Sequence, residues 1–308
     1  SYTELRSEFK YGWRANASCK NCSKYFIGKQ GPLLHSQNFN SQGQGLQYLE
    51  FSTSNVCNQT CATCSSYFSS KWTKLNSIFD IVDGPGESFS LSDYNIDTII
   101  NVLPNLKEIQ IKGGEPFADM KNLRILNALL EVNPSCHVRI CSNMQMVPKP
   151  FINVIKKLKS VSASASVDGI DRRFDWIRGG HFNQVVDNIN RMFDACGNQI
   201  VINPCVSVYN INNLREIYDY FEYLPSAQLK EIWIVVSDPD FLSPVRIFNQ
   251  QQLNDMVSRQ FDDINLDVDV KELYNMKALP TDQKLVDKYV DFTNRMNGVR
   301  GFDLKNTM

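Results

Sequence analysis

Three cysteines, Cys57, Cys61 and Cys64, stand within eight residues in the run Asn55-Val56-Cys57-Asn58-Gln59-Thr60-Cys61-Ala62-Thr63-Cys64. Gaps of three and two residues let one short loop wrap a compact metal centre, whereas disulfides from so tight a turn would need three partners at restricted Cα separations. Three protein thiolates on a four-iron cluster leave one iron without a protein ligand. Such an open position distinguishes a reactive centre from a closed structural one.

That spacing resembles the signature of the radical S-adenosylmethionine (SAM) enzymes. The resemblance implies a 4Fe-4S cluster on Cys57, Cys61 and Cys64, with SAM chelated at the open iron. It also implies reductive cleavage of SAM to a 5′-deoxyadenosyl radical that abstracts hydrogen from a substrate. The chain departs from the family in one place: Thr63 stands where relatives usually carry an aromatic residue.

A second motif, Lys112-Gly113-Gly114-Glu115-Pro116, closes a strand pattern, and its paired glycines let main chain approach another group without side chains between. It is similar to the family's Gly-Gly-Glu-Pro turn, so Gly113, Gly114 and Glu115 are expected to hold the methionyl amino group of SAM. The resemblance extends to Ser142-Asn143 and to Ser166-Val167-Asp168-Gly169, both at strand ends, where turn chemistry alone also favours Ser, Asn and Asp. Trp176-Ile177-Arg178-Gly179-Gly180 resembles a segment in which an arginine faces the SAM carboxylate, a task suited to a forked guanidinium, and Arg178 is the candidate. For adenine, only the neighbourhood of Val208 and Asn210 is suggested, with core packing the stronger reading.

The elements that must position these residues alternate between periods of two and 3.6. Strand patterns cover 46–51, 108–112, 137–141, 161–167, 201–208 and 231–236. Helical stripes lie between them: Phe68, Trp72, Leu75 and Phe79; Leu123, Leu126 and Leu130; Val154, Ile155 and Leu158; Val185, Ile189 and Met192; Leu214, Ile217, Tyr218 and Phe221. Six strands alternating with helices imply a parallel sheet with right-handed crossovers. Periodicity does not choose between a flat sheet and a barrel; the resemblance implies an α/β partial (β/α)6 barrel, with a cysteine-containing extension before it and a helical extension after it. The expected boundaries are 1–45 for the N-terminal extension, 46–250 for the barrel and 251–308 for the C-terminal extension. In the last, Leu285, Tyr289, Phe292 and Met296 form one stripe of a helix from about Thr281 to Met296, expected to pack on the barrel.

The N-terminal extension contains Cys19-Lys20-Asn21-Cys22. A lone dithiol could bind metal, act in redox chemistry or be idle. Its position resembles the C-x-x-C of twitch-type relatives, implying part of a second iron–sulfur cluster on Cys19 and Cys22. The isolated Cys136, Cys141, Cys196 and Cys205 read as small packing residues, and His35, His137 and His181 form no ligand spacing.

Composition bounds the alternatives. With 308 residues, 43% hydrophobic and 21% charged, the chain can bury a large core. Its 32 basic and 33 acidic residues leave net charge −1, so no basic field points to nucleic acid or an anionic membrane. No apolar run is long enough to span a bilayer, and the first ten residues lack a signal-peptide pattern. An odd count of nine cysteines, set in close clusters, favours metal ligation in a reducing compartment, and the cytoplasm is expected. Expected partners are a peptide or small-molecule substrate and, by the resemblance, an electron donor such as flavodoxin or ferredoxin. The competing reading is a non-catalytic zinc or iron–sulfur protein built on the five clustered cysteines; it leaves Gly113-Gly114-Glu115-Pro116 without a role.

Overall fold

The computed structural model describes residues 46–79, 89–229, 234–262, 273 and 276–307. Cys19, Cys22 and the rest of the expected N-terminal extension lie outside them. In chain order the strands are β1 (Tyr48–Ser52), β2 (Glu108–Lys112), β3 (His137–Ser142), β4 (Val161–Ala165), β5 (Ile200–Ile202), β6 (Cys205–Val206), β7 (Ala227–Leu229) and β8 (Ile234–Val235). The helices are α1 (Asn76–Phe79), α2 (Asp93–Val102), α3 (Met120–Val132), α4 (Lys149–Ile155), α5 (Asp171–Arg178), α6 (Phe182–Cys196), α7 (Leu214–Glu222), α8 (Pro244–Ile247), α9 (Gln250–Phe261) and α10 (Gln283–Arg300).

Six strands form one parallel sheet in the order β1-β2-β3-β4-β5-β7, with helices in the crossovers: the partial (β/α)6 barrel architecture. Its two faces differ. Ile109, Ile111, Val138, Ile140, Val161, Ala163 and Ala165 point to the helices and are buried with Leu126 and Leu129 of α3 and Ile189 and Met192 of α6. The alternate positions face the concave side and are polar. There Tyr48 donates to Gln110 at 2.7 Å, Lys112 pairs with Glu50 at 3.0 Å, and Arg139 pairs with Glu108 at 3.2 Å. Parallel sheets are ordinarily apolar on both faces. Strict alternation here therefore marks a sheet whose inner face is kept for water or a ligand.

The expected strand 201–208 is two strands. Pro204 has no N–H for a ladder and cannot continue a central strand, so the chain turns after Ile202. Beyond it, β6 pairs with β8 in a separate two-stranded sheet. The sixth strand of the main sheet is consequently β7, not the expected 231–236; of that segment, 231–233 lie outside the described residues, and Ile234 and Val235 belong to the small sheet. The stripe from Phe68 to Phe79 also departs from expectation, because its residues fold into a short 3-10 turn (Ser70–Lys74) and the four-residue α1. Trp72 is buried there against Phe79 and against Phe292 of α10.

Helix α10 runs four residues beyond its expected end. Its stripe docks as expected, with Phe292 and Met296 buried beside Ala62, Trp72 and Trp176. Asn297 accepts a hydrogen bond from the Trp176 indole N–H at 2.8 Å, and Gly301, at φ +75°, stops the helix. No described helix is long and apolar enough to cross a membrane.

The asymmetry of the sheet predicts asymmetric mutational costs. Leu126→Ala, at a fully buried site beneath the sheet, should lower unfolding free energy by about 2–5 kcal/mol. Ser164→Ala, on the concave face, should stay within about 0.5 kcal/mol. Denaturant titration of both variants checks this.

Candidate functional site

The three cysteines sit in an irregular loop between the carboxyl end of β1 and the Ser70–Lys74 turn. Irregular backbone needs partners from elsewhere when it is buried, and each stretch of this loop has one. Gly114 and Glu115 donate their N–H groups to the carbonyls of Ser54 (3.1 Å) and Val56 (2.7 Å). Ser70 Oγ accepts from Cys57 N at 3.3 Å, Ser69 Oγ donates to Gln59 O at 2.8 Å, and the Trp72 indole donates to Cys61 O at 2.9 Å. Ala62 N donates to Ile177 O of α5 at 2.7 Å.

The last contact comes from the end of α10. Arg300 donates to Thr60 Oγ1 at 2.9 Å, to Thr60 O at 2.5 Å and to Trp176 O at 2.6 Å, joining the cysteine loop to α5. A Cβ on Gly179, whose φ is +67°, would lie 2.7 Å from this guanidinium. Burial pushes the Arg300 pKa down to about 10. Nothing in the local sequence announces this residue: a basic side chain in the last turn before a glycine is ordinary helix-end chemistry.

The paired glycines serve this packing directly. A Cβ on Gly113, at φ +129°, would sit 2.7 Å from Ser54 O, and one on Gly114 would fall inside contact distance of Val56 O and the Asn55 carbonyl. The group their bare backbone admits is thus the cysteine loop, and the Gly114 and Glu115 amides are spent on it. The Glu115 side chain is equally committed. Wholly buried, it accepts from Phe117 N at 3.0 Å, Ser142 Oγ at 2.8 Å and Asn143 N at 2.8 Å, tying the end of β2 to the end of β3. Burial pushes its pKa up to about 7, against the pull of those three donors and of Arg178.

Around this frame the structure brings together Cys57, Cys61, Cys64, Glu115, Ser142, Asn143, Asp168 and Arg178. Asn143 donates to Cys57 Sγ at 3.9 Å and to Asn58 Oδ1 at 2.7 Å. Arg178 Nη1 pairs with Asp168 Oδ2 at 2.9 Å, while Asp168 Oδ1 accepts from Cys205 N at 2.7 Å. The Arg178 Nε is buried without a hydrogen-bond partner. Burial acts to lower the Arg178 pKa, but Cys61 and Asp168 nearby override it and hold the guanidinium above its ordinary value. Ser166 lies beside the cluster; its N–H donates to Ser142 O at 2.9 Å. Asn210 is fully buried, and its amide is taken up by Asp168 O, Cys205 O and Ser207 N, so core packing accounts for it; Val208 is buried too. Gln145, missed in the sequence, accepts from His181 N at 2.7 Å and from Gln59 Nε2 at 3.3 Å, linking the cysteine loop to the α5–α6 turn.

Burial raises the pKa of all three thiols, that of Cys61 to about 11. Such thiols stay protonated and are poor nucleophiles at neutral pH. A bound cation reverses that preference, because a coordinating thiol is deprotonated by the ion itself. Among the described residues no three His, Cys, Asp or Glu side chains are placed to hold one metal ion. Thiols that each meet a different iron of a cluster need not converge on a point.

The model of the radical SAM superfamily matches residues 51–224, more than half of the chain, and the chain belongs to that superfamily. No curated protein sequence matches. Among solved structures, native anSMEcpe with bound AdoMet is 17% identical with a TM-score of 0.53, over 71% of this chain and 60% of that one. The same enzyme with AdoMet and the Cp18Cys peptide is 16% identical with a TM-score of 0.51, over 70% and 58%. Streptococcus suis SuiB bound to its precursor peptide SuiA is 13% identical with a TM-score of 0.48, over 83% and 57%. The chain thus spans about 60% of the length of the first of these structures, and the likeness is one of fold. The residues present fit the cluster and SAM that the superfamily implies: three soft sulfur donors line one loop, and a buried guanidinium beside them keeps an unpartnered N–H.

Two outcomes follow from the frame. Arg300→Ala should destabilise the fold by at least about 1.5–3 kcal/mol, the worth of one hydrogen bond to a charged group, and Arg300→Lys should not restore it, because an ammonium lacks the fork that reaches Thr60 and Trp176 together. Denaturation midpoints check both. Glu115→Gln turns one acceptor into an NH2 facing either Asn143 N or the Phe117 and Ser142 donors, and should cost about 1–3 kcal/mol in the same assay.

Proposed function

We propose that this chain is the radical SAM portion of an enzyme that cleaves SAM reductively and abstracts hydrogen from a substrate, a peptide in the reading favoured here. The convergence of Cys57, Cys61 and Cys64 with Arg178, all on the carboxyl-end face of the sheet, carries the proposal. Catalytic loops of parallel barrels gather on that face. When bound, the 4Fe-4S cluster and SAM supply a 5′-deoxyadenosyl radical.

The chain's own residues hold, orient and shield. Cys57, Cys61 and Cys64 ligate three irons, and Asn143 donates to the Cys57 sulfur, an interaction of the kind that tunes cluster potential. Arg178 directs its free Nε–H toward the SAM carboxylate while Asp168 fixes its orientation. The Gly113 to Glu115 turn presents main chain to the methionyl amino group, and Ser142, Asn143 and Ser166 complete the wall. Residues 1–45 form an extension in which Cys19 and Cys22 contribute to a second cluster; residues 46–250 are the barrel and 251–308 a helical extension. A flavodoxin or ferredoxin supplies the electron, in the reducing cytoplasm. The peptide assignment draws on the peptide-bound state of anSMEcpe, which shares this fold.

Anaerobic reconstitution tests the proposal. The protein should take up four irons through Cys57, Cys61 and Cys64 and, once reduced, convert SAM to 5′-deoxyadenosine; alanine at any of the three should abolish both. Arg178→Ala should retain iron and weaken SAM binding by roughly tenfold or more, the equivalent of about 1.5–3 kcal/mol. Gly114→Ala should instead lower iron uptake, because its Cβ displaces the cysteine loop. Stoichiometric zinc with no SAM cleavage would overturn the proposal.

A further inference from the structure

A cavity of about 410 Å³ opens at the carboxyl ends of β1 and β2. Ser52, Gly113 and Gly114 line one part of it and Tyr67, Phe68 and Phe89 another. Single exposed aromatic residues need no explanation, but three that converge on one cavity do. Tyr67 is 60% exposed, Phe68 59% and Phe89 48%, and the first two rings meet edge to face at 4.8 Å.

A buried residue, Asn55, ties together the backbones that carry these rings. Asn55 Nδ2 donates to the carbonyls of Ser66 (3.2 Å) and Tyr67 (3.4 Å), and its Oδ1 accepts from Phe89 N at 2.9 Å. Its own N–H donates to Phe89 O at 3.1 Å. Asn55 thus pins both aromatic segments to the strand end two residues before Cys57. The same backbone frames the cavity and the cysteine loop, so a group seated in the cavity is anchored beside the proposed reaction centre.

We propose that this cavity receives an apolar, ring-sized side chain of the peptide substrate; the inference rests on the function proposed above and names the substrate feature that it selects. The volume falls in the range of small-ligand pockets, far below a protein docking surface. Among the described residues no charged side chain lines it. Two of its polar side chains are already engaged, the Asn55 amide as described and the Ser54 hydroxyl by Asp119 Oδ2 at 2.7 Å. A nucleobase would bring several donors and acceptors to a wall whose remaining side-chain polar groups are the Ser52 and Tyr67 hydroxyls, and burying unmatched polar atoms is costly. A phenyl or branched aliphatic group brings none. Aromatic walls reward it with edge-to-face contact.

The test uses the full cluster-loaded chain under anaerobic conditions, with N-acetyl-L-phenylalaninamide as probe and N-acetylglycinamide as control, read by saturation-transfer NMR. The phenylalanine probe should bind saturably and the control should not. Phe68→Ser and Tyr67→Ser should each weaken it about tenfold, the value of one buried aromatic contact face, and Phe68→Leu should restore most of the loss. Both parent side chains are more than half exposed, so folding is not at stake. No saturable binding, binding indifferent to both serine variants, or displacement of the probe by adenosine would overturn the inference, the last by making the cavity a nucleobase site. 5′-Deoxyadenosine formation is measured on the same preparations. SAM cleavage without probe binding overturns this inference alone, whereas probe binding without SAM cleavage overturns the proposed function and, with it, the assignment of the bound group to a radical substrate.

Discussion

The constraint on which the rest of the structure depends is the backbone of the cysteine loop. The segment that presents these three thiols is neither helix nor strand, yet each buried N–H and carbonyl in it still needs a partner. Those partners are drawn from the β2 turn, the Ser70–Lys74 turn, α5 and the last residue of α10. The loop is therefore shaped by elements that lie up to 240 residues away in sequence. Its neighbours are fixed by the same need. Gly113 and Gly114 are bare because the loop passes against them, and α10 ends at Gly301 with Arg300 placed to reach Thr60.

This accounts for which parts of the molecule are legible in sequence. Strand β2 is read to the residue, because Ile109 and Ile111 alternate with Glu108, Gln110 and Lys112 and the glycine pair ends it. The cysteine triplet is legible because metal ligation depends on local spacing. The segment 201–208 misleads because its apolar composition outweighs one residue, Pro204, which sends the chain into a different sheet. Arg300 and Asn55 are illegible for a different reason. Each acts through main-chain carbonyls, and a carbonyl carries no mark of its partner in the sequence. Glycine pairs are ambiguous in the same way: sequence shows that something comes close, and only the fold shows that it is another stretch of the chain.

The charges of the site are balanced rather than neutralised in pairs. Arg178 has Asp168 as its direct partner at 2.9 Å, and Glu115 and all three thiols feel its charge in turn. With the thiols protonated, the charges around the loop are the Arg178 and Arg300 guanidiniums, Asp168 and a Glu115 whose proton is finely poised by burial against three donors. Ligation would convert the thiols to thiolates around a cationic metal core. The Arg178 guanidinium would then lie between a cluster and whatever anionic group takes its free Nε–H. Positive charge that is held in place before the ligand arrives need not be reorganised when it binds.

The same economy shapes the two sides of the cysteine loop. On one side, Arg178, Asn143 and the ends of β3 and β4 make a polar wall whose donors and acceptors are mostly engaged with one another. On the other, Asn55 donates to two carbonyls and accepts from one N–H of the segments that carry the exposed aromatic rings. A buried amide that satisfies carbonyls and an N–H from two separate segments stabilises their backbones, but it gains nothing from the orientation of Tyr67, Phe68 and Phe89 toward water. Asn55 fixes the backbones from which these rings project, and an exposed apolar surface of this kind is stabilised when an apolar group covers it.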